Sequence, residues 1–162
     1  MKKSKYIMLK ALLIAIFFLP LSTFAQLPSY SFAQLDSLQK IEQKNMVVFI
    51  HTDWCRYCQS MKNTTFKSKE VIQLLNKKFW FADLNAEEKK DIIFNKHTFK
   101  YKPTGNNTGI HELAEQLGTI NGKISYPVLC ILNTKYEIIF QYDQFLSSTD
   151  LLKVLNEGLK IF

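Results

Sequence analysis

The chain has 162 residues, 47% hydrophobic and 14% aromatic, with only five glycines and four prolines. That composition excludes a disordered or low-complexity chain and supplies one core. Of the formal charge of +7, the lysines at 2, 3, 5 and 10 sit in the first 25 residues, which hold no acid, so the remainder carries +3; a residual of that size gives no support to a nucleic-acid surface, and no nucleic-acid partner is expected.

Those first 25 residues have three parts. Lys2, Lys3 and Lys5 form a basic start, residues 11–19 a short apolar run, and Thr23 and Ala25 small residues at the −3 and −1 positions of a cleavage site. This order predicts a secretory signal peptide at 1–25, cut near Ala25/Gln26, with residues 26–162 as one domain and a periplasmic or secreted location. The competing reading is a membrane anchor, which needs about 20 apolar residues; Lys10 and Pro20 bracket a shorter run. No cysteine lies near the cut, so a lipid anchor is not expected. Export would let a disulfide persist.

After the cut, Ser29 or Ser31 predicts a capped helix over 32–44, with Phe32, Leu35, Leu38 and Ile41 as its apolar stripe. Residues 46–50 are an apolar, β-branched run that predicts a buried strand. Residues 51–54 leave it, and residues 55–62 read as helical. Thr64 and Thr65 break that helix, and Ser68 caps another running to Lys77, with Val71, Ile72, Leu74 and Leu75 inward. Residues 79–84 predict a second central strand. The charged run at 87–90 reads as a turn without a role.

Residues 91–94 and 98–101 predict a β-hairpin around Asn95-Lys96-His97. Residues 103–109 read as a loop, followed by a helix from Thr108 or Gly109 to Leu117. Residues 127–132 and 136–142 predict an antiparallel hairpin, and Ser147 caps a last helix running to Lys160. Early strands separated by helices imply parallel pairing, and the late hairpin an antiparallel edge, so an α/β mixed sheet is expected.

Trp54-Cys55-Arg56-Tyr57-Cys58 stands where the first strand gives way to a helix. Unpaired backbone N–H groups and the partial positive charge there favour a thiolate over a thiol. Cys55 is therefore expected to be the exposed attacker, and Cys58, one turn on, the more buried resolver. Arg56 adds positive charge beside the sulfur. Two other readings of the pair are half of a zinc site and a purely structural disulfide. There is no second C-x-x-C, and His51, His97 and His111 lack zinc-finger spacing, so no metal is expected; the Trp before Cys55 argues against a structural disulfide.

Residues 47–58 resemble the active-site segment of thioredoxin-like proteins. The continuation over 59–66 is similar to the C-terminal domain of DsbD-type electron transporters and to small exported thioredoxin-like proteins of bacteria. Ser125-Tyr126-Pro127 falls where that family has its cis-proline. The resemblance implies a thioredoxin fold: a central mixed β-sheet flanked by helices, here with a β-hairpin insertion around 91–101. It implies that Trp54, Tyr126 and Pro127 bind substrate, with Tyr126 offering backbone to an extended peptide, and that Arg56, Tyr57 and Asp53 tune the redox pair. Protein thiols and disulfides, and a membrane electron-donor protein, are the implied partners of a monomer that needs no cofactor.

The chain also departs from that family. Arg56-Tyr57 replaces the Gly-Pro of thioredoxins. Phe49 stands where they bury an acid, a role Asp53 could partly fill, although a solvated loop acid is the plainer reading. Asn63 replaces the helix-kinking proline. Cys130, in the apolar strand after Pro127, reads as a core residue, and His51 as structural rather than tuning. The expected function is protein dithiol–disulfide exchange by Cys55 and Cys58, in the reducing direction on the DsbD-like resemblance. The rivals are a peptide-binding module with little turnover and a Cu(I)-capturing thiol pair.

Overall fold

The computed structural model describes residues 26–158. The predicted signal peptide at 1–25, and Leu159 and Lys160 of the predicted last helix, lie outside the described residues. Four strands form the main sheet: β1 (Asn45–His51), β2 (Phe79–Asn85), β7 (Val128–Leu132) and β8 (Ile138–Tyr142), in the order β2-β1-β7-β8. β1 pairs β2 in parallel and β7 antiparallel, and β7 pairs β8 antiparallel. The parallel pair is joined through helices α2 (Arg56–Asn63) and α3 (Lys69–Lys78), and the antiparallel pair β7 and β8 by a short turn. The mixed sheet expected from the order of elements is therefore present.

β1 is central and buried from Met46 to His51, which is why its sequence is a continuous apolar run rather than an alternation. Its side chains divide between two cores. Met46, Val48 and Ile50 face one layer with Phe32 and Leu35 of helix α1 (Phe32–Ile41) and Leu113, Ala114 and Leu117 of helix α4 (Glu112–Gly118). Val47 and Phe49 face the other, with Cys58 and Met61 of α2, Val71 and Leu75 of α3, and Leu151 and Leu155 of helix α5 (Ser148–Gly158). Each fully buried large apolar side chain contributes about 1.5–3 kcal/mol, so the two layers dominate stability.

α1 begins at a reciprocal capping box between Ser31 and Gln34 but stops at Ile41 rather than Lys44. The predicted stripe explains part of the error. Steps of three residues lag a 3.6-residue turn by about 60° each, so the fourth member lies opposite the first. Ile41 is accordingly 83% exposed, while Phe32 and Leu35 are buried. Before the helix, Tyr30 N donates to Phe81 O and Asp83 N to Ser29 Oγ, covering the free edge of β2. The break at Thr64–Thr65 is borne out by a 3₁₀ turn over Thr65–Lys67, and Ser68 caps α3.

The insertion is larger than the sequence suggested. The expected hairpin is present as β3 (Ile92–Phe94) and β4 (His97–Phe99), joined by Asn95 and Lys96, both at positive φ. That backbone suits the twist of a two-residue hairpin turn. The stretch 103–109, read as a loop, instead belongs to a second hairpin, β5 (Tyr101–Gly105) and β6 (Thr108–His111). Its proline and glycines are turn-forming by composition, yet Pro103 sits in an exposed strand where its missing N–H costs little. Tyr101 packs so closely on Gly109 that no Cβ fits there. α4 consequently starts at Glu112, not at 108 or 109, with buried His111 as its cap: Nδ1 accepts from Leu113 N at 3.2 Å. β8 starts at Ile138; Tyr136 lies in the preceding turn at φ 67°.

Candidate active site

β1 delivers His51 and Thr52 to the end of the sheet, and Asp53 and Trp54 turn the chain into α2. Cys55 is the N-cap of that helix, in extended conformation, and its Sγ accepts from Cys58 N at 3.1 Å. One of the helix's unpaired N–H donors is thus aimed at the sulfur, the arrangement that stabilises negative charge there. Cys55 and Cys58 are joined in a disulfide, their Cα atoms 5.3 Å apart. The order of accessibility is as expected, but the degree is not: Cys55 is 5% exposed and Cys58 0%. Cys55 is therefore nearly enclosed rather than an open side chain, because both cysteines belong to the apolar layer under α2.

Trp54 and Tyr57, each directly preceding one of the cysteines, are 67% exposed. Trp54 meets the half-buried Tyr126 edge-on, ring centres 6.0 Å apart, and the Tyr126-Pro127 peptide bond is cis. Trp54 and Tyr126 are thus brought together, and Tyr126 packs on the apolar layer that holds Cys55 and Cys58. Burial first, and the charge of Glu87 second, push the Tyr126 hydroxyl up to about 12. Arg56 is exposed and makes no ion pair among the described residues.

Asp53 does not replace the missing buried acid. It is exposed, and its Oδ2 accepts from Asn85 Nδ2 at 3.2 Å. A different acid, Asp83, pairs in register with Phe49 across β1 and β2 and lies at the partly exposed margin of that layer. Asp83 Oδ1 is 2.6 Å from His51 Nε2, and Oδ2 is 2.9 Å from Lys62 Nζ. A carboxylate only accepts, so Nε2 carries the His51 proton, and the Lys62 ammonium 2.8 Å from that nitrogen directs its hydrogen to Asp83 instead. Burial acts to raise the Asp83 pKa, but His51 and Lys62 together outweigh it and hold the carboxyl below its usual range.

Sequence reasoning missed Asp83 and Lys62. The signal was present in period two: Phe79, Phe81 and Asp83 share a face of β2, which places the carboxylate on the side of the sheet that α2 covers. Glu87, given no role, accepts from Trp54 Nε1 at 3.1 Å. Cys130 is fully buried on the opposite face of the sheet from the disulfide, and burial pushes its thiol up to about 12. It is a core residue. No group of three or more His, Cys, Asp or Glu among the described residues could hold a metal ion.

A family model described as thioredoxin-like matches residues 34–134. The chain belongs to the thioredoxin-like family. No curated protein sequence matches it significantly. Among solved structures, this thioredoxin-like protein is similar to a DsbH oxidoreductase, with TM-score 0.60 and 16% identity over 90% of this chain and 94% of the other. It is similar to a thioredoxin from Thermus thermophilus, with TM-score 0.60 and 20% identity over 83% and 88% of the two chains. The reduced DsbD C-terminal domain of Neisseria meningitidis gives TM-score 0.51 and 18% identity over 77% and 90%. These likenesses concern the fold. Family and C-x-x-C disulfide together make the protein an enzyme of thiol–disulfide exchange.

Proposed function

We propose that the protein is exported and reduces disulfides of protein partners through Cys55 and Cys58. The observation that carries this reading is the N-cap position of Cys55, with a helix N–H aimed at its sulfur. In the dithiol form the Cys55 thiolate attacks one sulfur of a partner disulfide. The partner's other sulfur leaves as a thiolate and takes up a proton, and a mixed disulfide remains. The Cys58 thiolate then attacks Cys55 Sγ, closing the 55–58 ring and releasing the second partner thiol. Two electrons pass to the partner, and the pair ends oxidised. A dithiol donor, in this reading a membrane protein, restores it by the reverse exchange. The protein acts as a monomer.

Trp54, Tyr126 and Pro127 bind the partner as an extended segment beside the sulfurs, with main-chain pairing at Tyr126. The reducing direction rests on the similarity of residues 59–66 to DsbD-type domains, and export on the three-part pattern of residues 1–25. The test is capture: Cys58→Ser leaves the mixed disulfide unresolved, so it accumulates partners linked through Cys55 that dithiothreitol releases. Cys55→Ser captures none. Partners bound equally by Cys55→Ser and wild type, with no covalent link, would instead favour a peptide-binding module, a reading kept alive by the 5% exposure of Cys55.

A further inference from the structure

Trp54 is a large exposed side chain whose position is not left to solvent. A swinging side chain must be ordered when a partner binds, which costs affinity. Here the indole is fixed from two directions. Its ring edge meets Tyr126, and its Nε1–H donates to Glu87 Oε1 at 3.1 Å.

Glu87 is in turn fixed by backbone. Its N–H donates to Asn85 Oδ1 at 2.9 Å, and Asn85 Nδ2 donates to Asp53 Oδ2 at 3.2 Å. Asp53 directly precedes Trp54, so the contacts close a ring from Trp54 through Glu87, Asn85 and Asp53 back to Trp54. The ring stands on a rigid stem. Ala86, fully buried, donates to His51 O at 2.7 Å and accepts from His111 N at 2.7 Å, tying the 87 turn to β1 and to the second hairpin.

We propose that Glu87 is a positioning residue for partner binding: it holds the Trp54 indole as a preset platform, against which an apolar side chain beside the partner's reacting cysteine stacks. This deepens, and rests on, the reading that extended protein segments dock beside Trp54 and Tyr126. Glu87 acts through its hydrogen bond to the indole, not through contact with the reacting sulfurs.

The test compares wild type, Glu87→Ala and Glu87→Gln, using an unstructured disulfide-bonded peptide with an aromatic residue next to cysteine. Turnover gives kcat and KM, and a fluorophore on the peptide gives its affinity for the oxidised protein. Loss of one hydrogen bond predicts that Glu87→Ala raises KM and weakens binding about three- to tenfold, with kcat and the reduction potential holding at wild-type values. Glu87→Gln, whose amide oxygen still accepts from the indole, restores both. Glu87→Ala binding as wild type does, a loss confined to kcat or the potential, or Glu87→Gln as weak as Glu87→Ala would overturn the proposal. Absence of any Cys55-dependent turnover in wild type would overturn the reductase reading, while the affinity comparison would still decide the role of Glu87.

Discussion

Asp83 stands level with Phe49 in the parallel register of β1 and β2, so the carboxylate that pairs with His51 and Lys62 comes from the neighbouring strand rather than from the strand that leads to the cysteines. Phe49 is fully buried in the layer that contains Cys55 and Cys58, and its ring stacks on His51 at 5.6 Å. The charge lies to one side, shared among Asp83, His51 and Lys62, and Lys62 brings the C-terminal half of α2 into the same cluster.

That cluster predicts a defined pH dependence of stability. The folded carboxyl of Asp83 titrates below its unfolded value because His51 and Lys62 outweigh burial. The unfolded chain therefore binds the proton first as pH falls. The contribution is complete above the unfolded value of about 3.9 and fades as pH drops through the lower folded one. Asp83→Asn removes the negative charge and replaces one of the two acceptor oxygens by an NH2 donor, so either Lys62 or His51 loses its acceptor, and should cost about 1–3 kcal/mol at pH 7. Urea titrations of both proteins from pH 7 to pH 3 check this. The gap in midpoint should be constant at neutral pH and narrow below about pH 4.

Cys130 offers a second check, on the division of the sheet into two faces. Its side chain is fully buried opposite the disulfide, and its thiol is pushed up to about 12 by burial. A thiol reagent at pH 8 should leave it unmodified in the native protein and modify it fully in denaturant. Cys130→Ala should reduce peptide disulfides at the wild-type rate, with a stability loss of about 1 kcal/mol from the small cavity. Mass spectrometry of the labelled protein and a reduction assay read both outcomes.

How much of this was legible in sequence follows from how local each signal is. The buried strand at 46–50, the helix caps at Ser31 and Ser68, and the C-x-x-C at a strand-to-helix junction are encoded within a few consecutive residues, and the structure has all of them. The hairpin at 103–109 was hidden because Gly, Asn and Pro signal a turn without saying whether short strands flank it. Convergences across the chain were not legible. His51, Lys62 and Asp83 meet only because β1, α2 and β2 stack, and Trp54 reaches Glu87 across 33 positions. Asp53 was the nearest acid in sequence to the cysteines, but the loop turns it outward to Asn85.

The chemistry proposed for Cys55 depends on the head of α2 acidifying its sulfur. The most direct measurement is the rate of iodoacetamide alkylation against pH, on a Cys58→Ser, Cys130→Ala variant in which Cys55 is the one remaining thiol. A sulfur acidified by the helix head gives a half-maximal rate below about pH 7.5, within the range of helix-terminal cysteines. A midpoint at or above about pH 8.5, that of an unperturbed cysteine, would contradict it.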